Sequence, residues 1–317
     1  MGQCLVIGSE NIAGFHLLNV GVAIAARREA QLQRTFGAGR VSAKAGSRSV
    51  GGRQKSVVDR LYQEGAARIR LPKTHADHLE AVLINTAGGL TGGDRFTWDL
   101  AAGAGTNVTA TTQACEKIYK AVTDATGPLR STAAKLETLI EVGEDATFSY
   151  LPQETILFDR SSLDRTLTAR LAGQSRIFVL EAVMLGREAM GETVSSCHFT
   201  DNWRIFRNNR LIHADATRLE DPPLGNTDAN SLLDGHSAFA SLVYCGPEDR
   251  DQLEAVVSSL RRNVGVATLG MSAMDNKIVA RCLAKNAYEM RRDLIPFIEA
   301  SRRELGIGGD LPKVWRL

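Results

Sequence analysis

The chain has 317 residues, 44% of them hydrophobic and 23% charged, which supplies a sizeable core and excludes a wholly disordered chain. Aromatic residues are scarce at 6%, and 29 glycines stand against 8 prolines, a balance that points to tight turns between many short strands. The formal net charge of +2 excludes an overall field that would select a polyanion, yet nine Lys/Arg face only Glu29 and Asp59 within residues 27–60.

Residues 1–33 read as an N-terminal extension, and residues 34–317 as one domain. The apolar run from Cys4 to Ala26 is interrupted by Ser9, Glu10, Asn11, His16 and Asn19. It is too polar for a membrane span, and it lacks the basic start of a signal peptide. Cys4, Cys115, Cys197, Cys245 and Cys282 are scattered and odd in number, as in neither a disulfide framework nor a zinc knuckle. A cytoplasmic protein with no membrane association is the expectation.

From Gln33 to Lys55 the composition is Gly, Ser, Arg and Ala with little periodicity, an irregular loop with one strand around Arg34–Ala43. Apolar Phe96, Trp98 and Leu100 then alternate with polar neighbours, the period of a half-buried strand. Leu136, Ile140 and Val142 share one parity, as do Leu163, Leu167, Ala169 and Leu171. Asn208-Asn209 between two alternating runs predicts a tight hairpin. Closely spaced strands over residues 79–215 predict an antiparallel or stacked all-β body. Near the end, Leu253, Val256, Val257 and Leu260 form a helical stripe within Glu248–Arg262. Asp275 is expected to cap a helix presenting Ile278, Cys282 and Leu283, and Ala287–Leu294 to be helical until Pro296 kinks or restarts it.

Leu83-Ile-Asn-Thr-Ala-Gly-Gly-Leu-Thr-Gly-Gly-Asp94 is the clearest local signal. Its two Gly pairs permit a sharp turn, read either as a strand connector or as a device aiming Asp94 into a pocket or channel. The spacing is that of neither a phosphate loop nor a dinucleotide fold. At Cys115-Glu116 a thiolate and a carboxylate adjoin and offer soft and hard ligands to a borderline metal. Successive strand residues face opposite ways, so this needs a bend, and a buried structural cysteine is the alternative. His75 and His78 have a helical metal spacing but no third ligand, and His198 and His213 are read as packing or pairing locally. Glu154 and Asp159 bracket an apolar run, and Glu188 and Glu192 flank Met190, with Arg160 and Arg187 as ion-pair partners.

Together, Asn85–Asp94, Thr112-Gln-Ala-Cys-Glu-Lys-Ile-Tyr119, Leu151-Pro-Gln-Glu154, Gly186–Glu192 and Leu311-Pro-Lys-Val-Trp315 resemble the urease accessory protein D family over residues 34–317. Two positions depart from its usual pattern: Thr86-Ala87, where a proline is common, and Glu116, where Thr or Ser is common. The resemblance implies a mainly β fold, an elongated stack of sheets with β-helix-like winding and a small C-terminal helical element. It implies a non-enzymatic scaffold for urease maturation that binds apo-urease and recruits accessory protein F and, through it, the GTPase accessory protein G. It also implies no tightly bound cofactor, only nickel in transit through a water-filled passage. The weak nickel-path candidates are Asp94, Glu154 and Glu192, with Cys115 and Glu116. Two other classes stay open: a carboxylate-based metal-dependent enzyme, recognised by turnover, and a nucleic-acid module led by the basic arm, recognised by salt-sensitive binding.

Overall fold

The computed structural model describes residues 34–50, 53–74, 76–121, 132–187, 190–220, 233–263 and 269–316. The readings of residues 1–33, His75 and Glu188 lie outside the described residues. The chain is mainly β. Its strands are β1 (Phe36–Val50), β2 (Arg53–Gly65), β3 (Ala67–Arg70), β4 (Leu79–Asn85), β5 (Arg95–Ala102), β6 (Asn107–Thr112), β7 (Glu116–Ile118), β8 (Ala134–Val142), β9 (Thr147–Leu151) and β10 (Thr155–Leu157). There follow β11 (Ser161–Leu171), β12 (Arg176–Leu185), β13 (Cys197–Arg207), β14 (Arg210–Glu220), β15 (Ala238–Cys245), α1 (Arg250–Asn263), β16 (Leu269–Met274), β17 (Lys277–Ala284), α2 (Ala287–Glu304) and a 3-10 turn at Lys313–Arg316.

One sheet has the order β14-β13-β11-β8-β5-β1-β2. Its five inner strands run parallel, and only the edge strands β14 and β2 are antiparallel. The other runs β16-β17-β15-β12-β9-β6-β4-β3, with a parallel centre from β12 to β4 and short β7 and β10 beside β12. Parallel strands ordinarily need helical crossovers. Here the chain alternates between the sheets, β4 to β5 to β6, β8 to β9, β11 to β12 to β13, so each sheet serves as the crossover of the other. Of the two expected arrangements, antiparallel or stacked, the body from β4 to β13 is the stacked one, with β-helix-like winding, and antiparallel pairing gathers at β1–β2, β3–β4, β13–β14 and the run β12-β15-β17-β16. The turns stack too: Gly103 N donates to the Ala43 carbonyl (2.9 Å), Gly143 N to Ala102 (2.8 Å) and Ala172 N to Val142 (2.9 Å).

The strand expected around Arg34–Ala43 is present as β1, but it runs on to Val50 and pairs with β2 as a long hairpin where an irregular loop was expected up to Lys55. Backbone bonds carry that pairing, while β1 is largely Gly, Ser and Ala and β2 mixes charged residues with Val57, Val58, Leu61 and Tyr62, which leaves no apolar period to read. The Asn208-Asn209 turn has φ of 48° and 64°, as the hairpin expectation required. Asp275 caps no helix: Asp275-Asn276, with φ of 60° at Asn276, is the turn of the β16–β17 hairpin. Ile278, Ala280, Cys282 and Ala284 are its buried, period-two face, and Leu283 points the other way. Helix α2 continues through Pro296, which lies on the solvent side, so water can solvate the carbonyl deprived of its donor.

Two cores result. Between the sheets lie Phe96, Trp98, Leu100, Ile140, Phe148, Leu167, Phe199 and Trp203. Against the far face of the second sheet, Phe178, Leu180 and Leu242 meet Leu253 and Leu260 of α1, Leu294, Phe297 and Ile298 of α2, and Trp315. The second sheet is therefore a middle layer, which explains the nearly continuous burial of β12. Asp249 and Gln252 cap α1 reciprocally (2.9 and 3.0 Å), and Asn286 accepts from Glu289 N (2.9 Å) at the start of α2.

Candidate functional site

Four of the five motifs converge at one edge of the second sheet. Asn85 ends β4, and its side chain holds the double-Gly turn: Oδ1 accepts from Ala87 N (2.9 Å), and Nδ2 donates to the Gly89 carbonyl (3.1 Å) and to Glu116 Oε1 (3.0 Å). A Cβ on Gly89, where φ is 155°, would stand 2.6 Å from the Lys117 carbonyl oxygen, so only glycine lets the turn lie against β7.

β7 and β10 are parallel, with Glu116 opposite Thr155, and Glu116 N donates to the Glu154 carbonyl (3.0 Å). That register brings Cys115 beside Glu154, 39 residues on. The Cys115 thiol donates to Glu154 Oε2 (3.2 Å), and Arg291 Nη1 from α2 reaches the same oxygen (3.3 Å). Glu154 is wholly buried, and no described protein group donates to its Oε1. Burial pushes the Cys115 thiol up to about 12, with the Glu154 charge acting in the same direction. Burial likewise raises the Glu116 carboxyl to about 7, the Asn85 hydrogen bond opposing it. Cys115 and Glu116 turn to different partners, as their strand positions dictate. The sequence neighbours do not form the pair; Cys115 and Glu154 do.

Gln153 locks the corner from within, donating to Thr112 (3.3 Å), Gln113 (3.1 Å) and Val314 (3.2 Å) carbonyls. Trp315 Nε1 donates to Thr111 Oγ1 (3.2 Å) and the Leu151 carbonyl (3.1 Å), while the Arg291 guanidinium lies 5.5 Å from the Trp315 ring. Arg291 is the residue sequence reasoning missed, because nothing local in α2 marks it. The Leu-Pro-Lys-Val-Trp motif was the only pointer to this side of the corner.

Asp94 and Glu192 stand elsewhere. Asp94 is buried, and its carboxylate accepts from Thr35 N (2.7 Å) and Thr91 N (2.8 Å). The double-Gly turn thus aims Asp94 at backbone donors of its own surroundings rather than into a pocket. Glu192 pairs with Arg187 (2.8 Å), which holds its carboxyl below the usual range, and it lines an open hollow of about 380 Å³ with His236 and Lys285. Asp159 accepts from Ser195 N (2.8 Å) rather than pairing with Arg160. His198 pairs locally, with Nε2 2.9 Å from Asp164 and Nδ1 3.0 Å from Glu220. Among the described residues no three His, Cys, Asp or Glu side chains are grouped to hold a metal.

A second charged cluster lies between the sheets, unmarked by any motif. Arg165 donates to Glu181 (2.7 Å), Asp201 (2.7 Å) and Thr155 Oγ1 (2.8 Å), and Trp203 Nε1 donates to Asp201 (3.0 Å). Burial raises the Glu181 pKa against the pull of Arg165.

A family model described as "UreD urease accessory protein" matches residues 38–316. The Urease accessory protein UreD of Rhizobium leguminosarum bv. viciae is 47% identical over 285 residues, covering 90% of this chain and 96% of that protein. That of Sinorhizobium medicae (strain WSM419) is 44% identical over 287 residues, covering 90% and 97%. That of Agrobacterium fabrum (strain C58 / ATCC 33970) is 42% identical over 292 residues, covering 92% and 95%.

Proposed function

The chain belongs to the UreD urease accessory protein family, and from that premise we propose that it is a scaffold that binds apo-urease, recruits accessory protein F and, through it, accessory protein G, and so brings nickel to the urease active site. A role in urease maturation, as an accessory protein and not a catalyst, comes with the family. The observation that carries the finer reading is the extent of the match, which spans β1 to the C-terminal turn and thus the whole described body.

Physical features support a binding role. Phe36, Leu61 and Tyr62 are 44–48% exposed and line an open trough of about 870 Å³ on the outer face of the first sheet, with Arg40, Arg60, Asp59 and Asp99 among its walls. Exposed apolar side chains rimmed by charge are the usual surface of a protein partner. None of the described helices is long and apolar enough to cross a membrane.

The test is reconstitution. In a urease-positive host lacking this gene, the full chain restores urease nickel content and activity, and it co-purifies with apo-urease and accessory proteins F and G. Co-expression with F raises its soluble yield several-fold. A chain beginning at residue 34 performs equally, since the family match starts at residue 38. Restored activity without any co-purified urease or F would overturn the scaffold reading.

A further inference from the structure

We propose that the free edge of β2 docks a second copy of this chain, the two Arg60–Glu64 stretches pairing antiparallel about a two-fold axis at Tyr62. The edges of the two sheets are not alike. β3 has only four residues, and its Ile69 N already donates to Gln63 Oε1 (2.6 Å). On β16 the Met271 carbonyl accepts from Arg261 (2.6 Å), and on β14 the Ile212 carbonyl accepts from Lys277 (2.9 Å). On β2, Ser56 N donates to the Asp77 carbonyl (2.7 Å), but from Val57 to Glu64 no described group outside β1 bonds the backbone. Every residue from Val58 to Gly65 is exposed, so both faces of the strand are open there. A strand edge with open backbone groups is a template for another strand.

The ladder fixes which groups face outward. Ala66 N donates to the Phe36 carbonyl (2.8 Å), so by alternation Arg60, Tyr62 and Glu64 bond β1, and Leu61 and Gln63 turn their N–H and C=O outward. The regular stretch ends at the register shift around Asp59 and at Gly65, where φ is 60°. Only the antiparallel self-pairing centred on Tyr62 uses all of Arg60–Glu64 and neither irregularity. It sets Leu61 opposite Gln63 of the second copy, each such pair exchanging two backbone bonds. It also sets Arg60 opposite Glu64 of the second copy, twice by symmetry, with Tyr62 against itself at the axis. The Arg60 side chain is 89% exposed, and its nearest acid, Asp59, is 3.9 Å away. Glu64 accepts from Tyr62 at Oε2, which leaves Oε1 to a guanidinium. The strand is thus complementary to itself, where an edge of one sign would repel its copy. Tyr62 and Leu61, 48% and 44% exposed, supply the apolar contact. So short a contact gives a weak dimer that forms with rising concentration. The inference is independent of the maturation reading.

The experiment has two arms, both on the full chain. In the first, Tyr62→Cys is mildly oxidised and run on non-reducing gels. Opposed residues of a non-hydrogen-bonded antiparallel pair have Cα atoms about 4.5 Å apart, within disulfide reach. Tyr62→Cys gives a covalent dimer that reductant dissolves, while the wild type and Leu61→Cys, whose own copy is displaced along the strand, give little. In the second arm, sedimentation over a concentration series measures the dimer dissociation constant. Arg60→Glu and Glu64→Arg each raise it about tenfold, because symmetry counts every reversed pair twice. The double variant Arg60→Glu/Glu64→Arg returns it to the wild-type value, a rescue that unspecific apolar association does not give. Circular dichroism checks that each variant is folded. A wild type that stays monomeric, equal cross-linking at positions 61 and 62, or a double variant as weak as the single ones overturns the interface. Any of these leaves the co-purification test of the scaffold untouched.

Discussion

Two clusters in this protein set arginine against carboxylate, and they are built to different standards. Between the sheets, Arg165 bridges Glu181 and Asp201, both at 2.7 Å, with side chains 3–7% exposed. At the corner, Arg291 is 26% exposed and meets Glu154 at 3.3 Å, and Glu154 keeps one oxygen without a donor. The first cluster is the more tightly paired, supported by Thr155 and Trp203, although Arg165 Nε too has no partner among the described groups. The second joins Cys115 and Glu154, from two separate motifs, with Arg291 from α2. The difference lies in distance and exposure: short contacts in a dry interior hold the fold, and a longer contact with a partly solvated arginine holds it less tightly.

The comparison breaks most readily at the arginines. Arg165→Met leaves two buried carboxylates facing one another without a cation. A loss of about 3–5 kcal/mol in unfolding free energy is expected, the scale for removing one member of a buried ion pair. Arg291→Gln removes a longer contact in which the arginine is partly solvated, and a smaller loss is expected. Urea denaturation of both variants measures the contrast. Equal losses would mean that the corner is as structural as the interior.

The Gly-rich turn gives a second, smaller effect. Gly88 and Gly89 adjoin, with φ of 78° and 155°, but a Cβ on Gly88 meets nothing within 4 Å, whereas one on Gly89 collides with Lys117 and Tyr119. Gly88→Ala should therefore cost about 1 kcal/mol of left-handed strain. Gly89→Ala should cost about 2 kcal/mol or more and shift Asn85 away from Glu116. Comparing the two melting curves separates strain from collision, and it shows whether the corner cluster depends on the turn beneath it.

How much of this was legible depended on where the information sits. Strands with one buried face announced themselves: the parity of Leu136, Ile140 and Val142 is the observed burial of β8. The β1–β2 hairpin did not, since its pairing is written in backbone bonds between a Gly-, Ser- and Ala-rich strand and one of mixed charged and apolar residues. The β16–β17 hairpin was misread because Ile278, Cys282 and Leu283 fit a helical spacing, and the period-two partners Ala280 and Ala284 are too small to dominate. At the corner, Cys115, Glu116 and Glu154 were visible as motif residues. Their pairing was not, because it is set by a register between segments 39 residues apart, and Arg291 lies outside every motif. Arg165, Glu181 and Asp201 lie within ordinary strand sequence, and only the winding of the chain brings them together.

The last expected effect is a pH dependence to which the interior cluster contributes. One guanidinium faces two carboxylates there, so the triad carries an uncompensated negative charge when both acids are ionised. Burial raises Glu181 from its ordinary 4.5 to about 8, while Arg165 at 2.7 Å pulls it down. A carboxyl raised on folding binds its proton more tightly in the native state than in the unfolded chain. Its stabilising contribution is therefore complete below about pH 4.5 and is lost as pH rises toward 8. Stability should fall across that window as the native carboxyl loses the proton that burial had favoured. Glu181→Gln removes one titrating proton and should make the profile shallower between pH 5 and 8, leaving the share of the raised Glu116 carboxyl, whatever it does to the absolute stability. Urea midpoints at several pH values, for the wild type and this variant, decide it. Parallel profiles would mean that Glu181 is ionised throughout and that the interior cluster tolerates its excess charge.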